Sequence, residues 1–183
     1  KYQKQYLRLS ADAYEKQAEG VDEAKAMALR AEAKKLRGQW PEIKQIITKD
    51  LGRVDRCITC HQGTSWKGFE QADNPWKSHP TEPLKNHPVE KFGCTPCHGG
   101  QGWAIDTEAA HGNVAHWEEP LLGSALGESY SLQGSKAALL QMNCNQCHRY
   151  DRETPGLSEI NLAKQLIQQK GCRACHVING RGG

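Results

Sequence analysis

Lys91-Phe92-Gly93-Cys94-Thr95-Pro96-Cys97-His98-Gly99-Gly100-Gln101-Gly102 is the stretch on which the reading of this chain turns. Two cysteines stand with two residues between them, and a histidine follows the second directly. The same arrangement recurs as Cys57-Ile58-Thr59-Cys60-His61, Cys144-Asn145-Gln146-Cys147-His148 and Cys172-Arg173-Ala174-Cys175-His176. The chain has eight cysteines, and these units use all of them. Their starts follow no fixed period, so the chain is not a simple repeat array.

C-x-x-C-H is the attachment pattern of c-type haem. Two thiols add across the two vinyl groups of one haem and form thioethers. The adjacent histidine then reaches the iron from the proximal side. Zinc can use C-x-x-C pairs in Cys₄ or Cys₂His₂ sites, but it does not require a histidine after every second cysteine. Disulfides across a two-residue gap are strained. A thioredoxin-type pair belongs at a helix start in an alternating strand and helix pattern, which is not visible here.

Composition agrees with an interior filled by something other than side chains. Of 183 residues only 37% are hydrophobic, with two Phe and two Met against eight Cys and eight His. Mean hydropathy is −0.75. The formal charge of +3 is too small to mark a nucleic-acid binder. No apolar run is long enough to cross a membrane as a helix.

Through its four motifs, the region 52–183 resembles the multihaem c-type cytochromes. The resemblance implies four haem c groups. Cys57, Cys60, Cys94, Cys97, Cys144, Cys147, Cys172 and Cys175 would attach them, and His61, His98, His148 and His176 would be proximal ligands. Such proteins are matured outside the cytoplasm, so a periplasmic or extracellular location is implied. The chain starts at Lys1 without Met, which reads as a mature or trimmed product.

A low-spin haem takes a sixth ligand, usually His or Met. The histidines outside the motifs are His79, His87, His111 and His116, equal in number to the haems. His79 and His87 each precede a proline, which fixes the backbone and can aim a side chain. Solvent-exposed loop histidines are the plainer alternative, and no pairing follows from the numbers. Met27 and Met142 read as core filler. Glu118 or Glu119 could orient a ligating imidazole. The fourth motif resembles the opening of a class I cytochrome c domain. In that family the distal ligand is a Met far downstream, so either the natural protein continues beyond Gly183, which is the favoured expectation, or one of the spare histidines serves this haem.

The expected fold is mainly α with extensive loops and a core of covalent haems. Residues 1–37 form a helical arm or stalk, 38–156 a three-haem domain, and 157–183 the start of the class I-like domain. The arm is rich in Ala, Glu, Lys, Gln and Leu, with Gly20 marking a turn. Asp12 with Lys16 and Glu32 with Lys35 stand at supportive spacings. A weak seven-residue seam runs through Leu7, Tyr14, Val21 and Ala28, with Ala24 and Ala31 between. The arm's nine basic and six acidic residues account for the whole net charge. It is either a stalk after a membrane anchor or a helix packed on the haem domain.

Residues 38–56 read as a short helix or turn, and 62–93, with four prolines, as mostly loop. Trp66, Trp76 and Phe92 can lie against haem faces. Glycines near the second motif suggest close approach of backbone to a cofactor. Helices are expected over 135–143, capped by Ser135, and over 158–170, capped by Ser158. Ile160, Ala163, Leu166 and Ile167 share a face of the latter, and Gly171 ends it.

With both axial positions filled, haem iron only exchanges electrons. The expected function is one-electron transfer along a haem chain to redox partner proteins, as a subunit of a membrane quinol-oxidising complex or free. Three bis-His haems before a Met-ligated one would run electrons downhill toward the C-terminus. The alternatives are a multihaem oxidoreductase enzyme with one open-coordination haem, or a haem filament subunit.

Overall fold

The structure is a computed structural model and describes residues 1–112, 121–122 and 136–183. It is mainly α. The strong helix formers of the N-terminal segment build α1 (Tyr2–Ala18) and α2 (Glu23–Gly38), with Gly20 in the turn between them. Asp22 caps α2 by accepting from the Lys25 N–H at 3.0 Å. The buried residues of the pair include Ala11 and Ala18 on α1 and Ala26 and Ala33 on α2. The seam is therefore made of alanines seven apart, not of Leu7, Tyr14, Val21 and Ala28. Side chains this small let two helix backbones approach closely. Glu32 and Lys35 pair as expected at 3.2 Å, whereas Asp12 is held by Arg37 at 2.8 Å rather than by Lys16.

The helix pair is docked on the segment that follows. Gln3 is buried, accepts from the Glu42 N–H at 2.7 Å and donates to the carbonyls of Glu42 and Thr59. Tyr6 meets Trp66 edge-on at 4.8 Å, and Tyr2 meets Trp76 at 6.4 Å. The two tryptophans thus clasp α1. Phe92 lies against the His87 ring at 5.0 Å.

A helix or turn was expected over 38–56, but the chain forms a two-stranded antiparallel ribbon. β1 (Ile46–Thr48) pairs with β2 (Arg53–Asp55), and Ile46 stands opposite Asp55. The β-branched run Ile46-Ile47-Thr48 favours extension. Gly52, at φ 61°, closes the connecting turn. The region 62–93 holds more helix than expected. A 3-10 turn covers Gln62–Ser65, and the short helices α3 (Thr81–Asn86) and α4 (Val89–Phe92) each begin directly after a proline.

The glycines around the second motif serve protein packing. A Cβ on Gly102 would lie 2.2 Å from the Val54 carbonyl oxygen, and one on Gly93 would lie 2.7 Å from Asp55 Oδ2. Both glycines let β2 sit against this loop. The Arg56 N–H donates to the Gly102 carbonyl at 2.9 Å, and its guanidinium lies over the Trp103 ring. Gly63 is tighter still, since its Cβ would stand 1.9 Å from the Trp76 carbonyl oxygen. Gly63→Ala is therefore expected to cost about 1–3 kcal/mol by forced backbone displacement. A thermal or denaturant midpoint equal to that of the parent would refute this.

After α5 (Thr95–His98) and α6 (Thr107–Ala110), the C-terminal region is two helices. α7 (Lys136–His148) does not stop before the third motif but runs through it. α8 (Ser158–Gln169) follows, with Gly171 left-handed just beyond its end. Ser158 is its first helical residue and not its side-chain cap. Gln141 Oε1 instead accepts from the N–H groups of Glu159 and Ile160. Of the expected apolar face, Leu166 is exposed.

Among the described residues, the buried hydrophobic side chains are Ala11, Ala18, Ala26, Ala33 and Leu139. Met27 and Met142 are 62% and 55% exposed, so neither is core filler. Trp40, Ile43, Ile47, Trp103 and Ile105 are exposed as well.

Candidate functional site

Each C-x-x-C-H unit is one turn of helix. The first and fourth are 3-10 turns over Cys57–Thr59 and Cys172–Ala174, the second overlaps α5, and the third is the last turn of α7. In the first, second and fourth units the histidine N–H donates to the carbonyl of the first cysteine at 2.9 Å. A helical turn puts positions i, i+3 and i+4 on one face, so both thiols and the imidazole of a unit face the same side. All eight cysteines are free.

Three motif histidines each face a histidine from elsewhere in the chain. His61 and His111 have ring centroids 6.4 Å apart, His98 and His79 5.9 Å, and His148 and His87 6.0 Å. Two imidazoles on opposite sides of one metal ion have centroids roughly 6.2–6.5 Å apart. That follows from metal–nitrogen bonds of about 2.0–2.1 Å and ~1.1 Å from nitrogen to ring centre. The His61–His111 spacing of 6.4 Å lies in this range, and those of 5.9 and 6.0 Å fall slightly short of it. The structure thus brings together three of the four histidines read as spare with three of the four motif histidines. His116 lies outside the described residues, as do Glu118, Glu119 and Ser135. His176 is exposed.

The ring nitrogens are prepared for this role. His79 Nδ1 lies 2.8 Å from the Pro80 carbonyl oxygen, and His87 Nδ1 lies 3.0 Å from that of Pro83. His148 Nδ1 lies 2.7 Å from Asp151 Oδ2. Each contact is with an acceptor oxygen, so Nδ1 is the donor and Nε2 is the nitrogen left for another partner, the arrangement common to metal-ligating histidines. Asp151 is in turn held below the ordinary carboxylate range, chiefly by His148. Burial, then His111, pushes the His61 pKa down. Burial, then His79 and His61, does the same for His98. Both shifts favour the neutral imidazole, the state that binds metal.

Burial and neighbouring groups raise the proton affinity of two thiols of the first and second units. Cys57 is pushed up by its hydrogen bond with Cys94, by burial and by Asp55. Cys97 is pushed up mainly by burial and then by Cys144. Among the described residues, one trio of His, Cys, Asp or Glu ligand atoms lies within 4.8 Å, and it is Asp55, Cys57 and Cys94. That is neither a Cys₄ nor a Cys₂His₂ site, and the Asp55 oxygens are already occupied.

Asp55, which the sequence reading missed, is 1% exposed and ends β2. Its Oδ2 accepts from the Cys94 N–H at 2.8 Å, the Thr95 N–H at 2.8 Å and the Thr95 hydroxyl at 2.9 Å. The Cys57 thiol donates to Oδ1 at 2.8 Å. Burial alone would raise its pKa, but these bonds together, led by that from Cys57, hold it below the usual value. Its only local sign is an acid two residues before a motif, and its partners lie about 40 residues on.

The units are neighbours in chain order. Asp55 joins the first to the second. The Asn143 amide donates to the Cys97 carbonyl at 3.1 Å and joins the second to the third. Lys164 of α8 donates to the His148 carbonyl at 2.7 Å, and the Asn179 amide donates to the Arg149 carbonyl at 3.3 Å. These bonds tie the third unit to the fourth. Comparison with family models, with curated proteins and with solved structures finds no match to this chain.

Proposed function

We propose that this chain is a one-electron carrier of the periplasm or cell exterior, a multihaem cytochrome c whose core is built on four covalent haem c groups. The observation that carries the reading is the set of three histidine pairs, each joining a C-x-x-C-H histidine to a distant one at the separation that spans one metal ion. Haem c, when attached, supplies iron that cycles between ferric and ferrous states.

The chain's own residues do the rest. Each helical turn presents two thiols for attachment and one imidazole on the same face. The pairs His61–His111, His79–His98 and His87–His148 would each hold one iron with two imidazoles, which would leave substrate no place to enter there. Pro80, Pro83 and Asp151 fix the tautomer and aim of their imidazoles. Units that adjoin in order form a line for electrons passing between redox partner proteins. The arm docked on the first unit suits attachment to a membrane quinol-oxidising complex.

The test is intact mass together with the reduced visible spectrum of the chain matured in a bacterial periplasm. Four thioether-bound haems per chain and sharp low-spin bands are expected. An unmodified mass, or a chain that retains zinc, would defeat the proposal. A second reading, a haem enzyme with one open site, is favoured only by the exposed His176, which has no facing imidazole among the described residues.

A further inference from the structure

The buried carboxylate of Asp55 stands between two attachment units, and the histidine pairs do not account for it. Its Oδ2 takes three donors from the second unit, while Oδ1 lies 2.8 Å from the Cys57 sulfur of the first. The ligand atoms of Asp55, Cys57 and Cys94 lie within 4.8 Å of one another. Cys57 and Cys94 are the first cysteines of their units, so each would carry one edge of its own haem.

We infer that Asp55 is a positioning residue that clamps the first cysteines of the first two units side by side, so that their haems form one close pair under a shared negative charge. The inference rests on the haem reading proposed above.

Three features support it. The clamp survives attachment. A thioether at Cys57 removes the S–H donor, but the Cys94 N–H, the Thr95 N–H and the Thr95 hydroxyl remain on Oδ2. The site is also built around the carboxylate, because Gly93 has no Cβ where one would lie 2.7 Å from Oδ2. Finally, the four donors on Asp55 are neutral groups, so they solvate its charge without cancelling it. A buried negative charge opposes the gain of an electron nearby, and it acts strongly where water is excluded. By contrast, the second and third units are joined by the neutral Asn143 amide.

Asp55→Asn in the matured protein is the test, because Asn keeps the shape and one acceptor oxygen. Redox titration should show two of the four midpoints rising, each by at least the equivalent of a tenfold change in equilibrium constant, 59 mV for one electron. The other two should stay in place. No shift, or an equal shift of all four, overturns the proposal.

Electron paramagnetic resonance of the unaltered oxidised protein is an independent arm that needs no variant to fold. Two ferric centres with a mutual magnetic interaction are expected. Four isolated signals overturn the proposal whatever the variant shows. Intact mass separates the two failures. Four haems with isolated signals reject the clamp alone, whereas absent haems reject the functional reading beneath it.

Discussion

Reduced His79→Ala protein is expected to bind one more carbon monoxide per chain than the unaltered protein. His79 faces His98 at 5.9 Å, with Nδ1 committed to the Pro80 carbonyl and Nε2 free. On the proposed haem reading, removing its imidazole would leave the iron held by His98 with one protein ligand and an open position for CO. The visible spectrum should lose the low-spin bands of one haem. His87→Ala should do the same at the third haem and His111→Ala at the first. His79→Met should keep six ligands, bind no extra CO and raise one midpoint, because a thioether favours ferrous iron relative to imidazole. Unchanged CO uptake in all three alanine variants would break the assignment of these pairs. The difference from the parent matters here, not the absolute count, so an open fourth haem does not obscure the result.

The second large effect concerns the fold. A chain with all eight cysteines changed to alanine is expected to lose its cooperative thermal transition. The reason is the scarcity of apolar burial. Among the described residues, four of the five buried hydrophobic side chains are alanines, and all four belong to the N-terminal helix pair. A buried methyl group contributes about 0.8 kcal/mol, while fixing one residue's backbone costs roughly 1–2 kcal/mol. Four such groups cannot order the remaining chain. Far-ultraviolet circular dichroism should retain some helix from α1 and α2, and the near-ultraviolet signal of the tryptophans should collapse. A sharp melting transition in the cysteine-free chain would show that the fold does not depend on the attached groups.

What could be read from the sequence was local. The C-x-x-C-H units, the helix formers on either side of Gly20 and the helix after Leu157 depend on neighbours a few residues apart, and spacing exposes them. The seam of Ala11, Ala18, Ala26 and Ala33 was hidden, because alanine counts as a helix former before it counts as a contact. Ile46-Ile47-Thr48 passed for a turn since three residues carry little periodicity, and its pairing with Arg53-Val54-Asp55 is what makes it a strand. Trp66 and Trp76 suggested a flat cofactor, and their edge contacts with two tyrosines of α1 were not visible in the sequence. The four spare histidines were recognisable as a set. Which imidazole meets which depends on contacts up to 61 residues apart, between His87 and His148, and no local pattern encodes that.

Those pairs also interlace along the chain. His79–His98 is nested inside His61–His111, and His87–His148 begins inside that span and ends beyond it. Every peptide bond between 61 and 148 is thus straddled by at least one pair. In topological terms the first three units are not beads that could be cut apart, duplicated or exchanged singly. A protease nick anywhere in that interval would leave two fragments still sharing a facing histidine pair, and with a metal ion held between the two rings the molecule would behave as a link rather than a string.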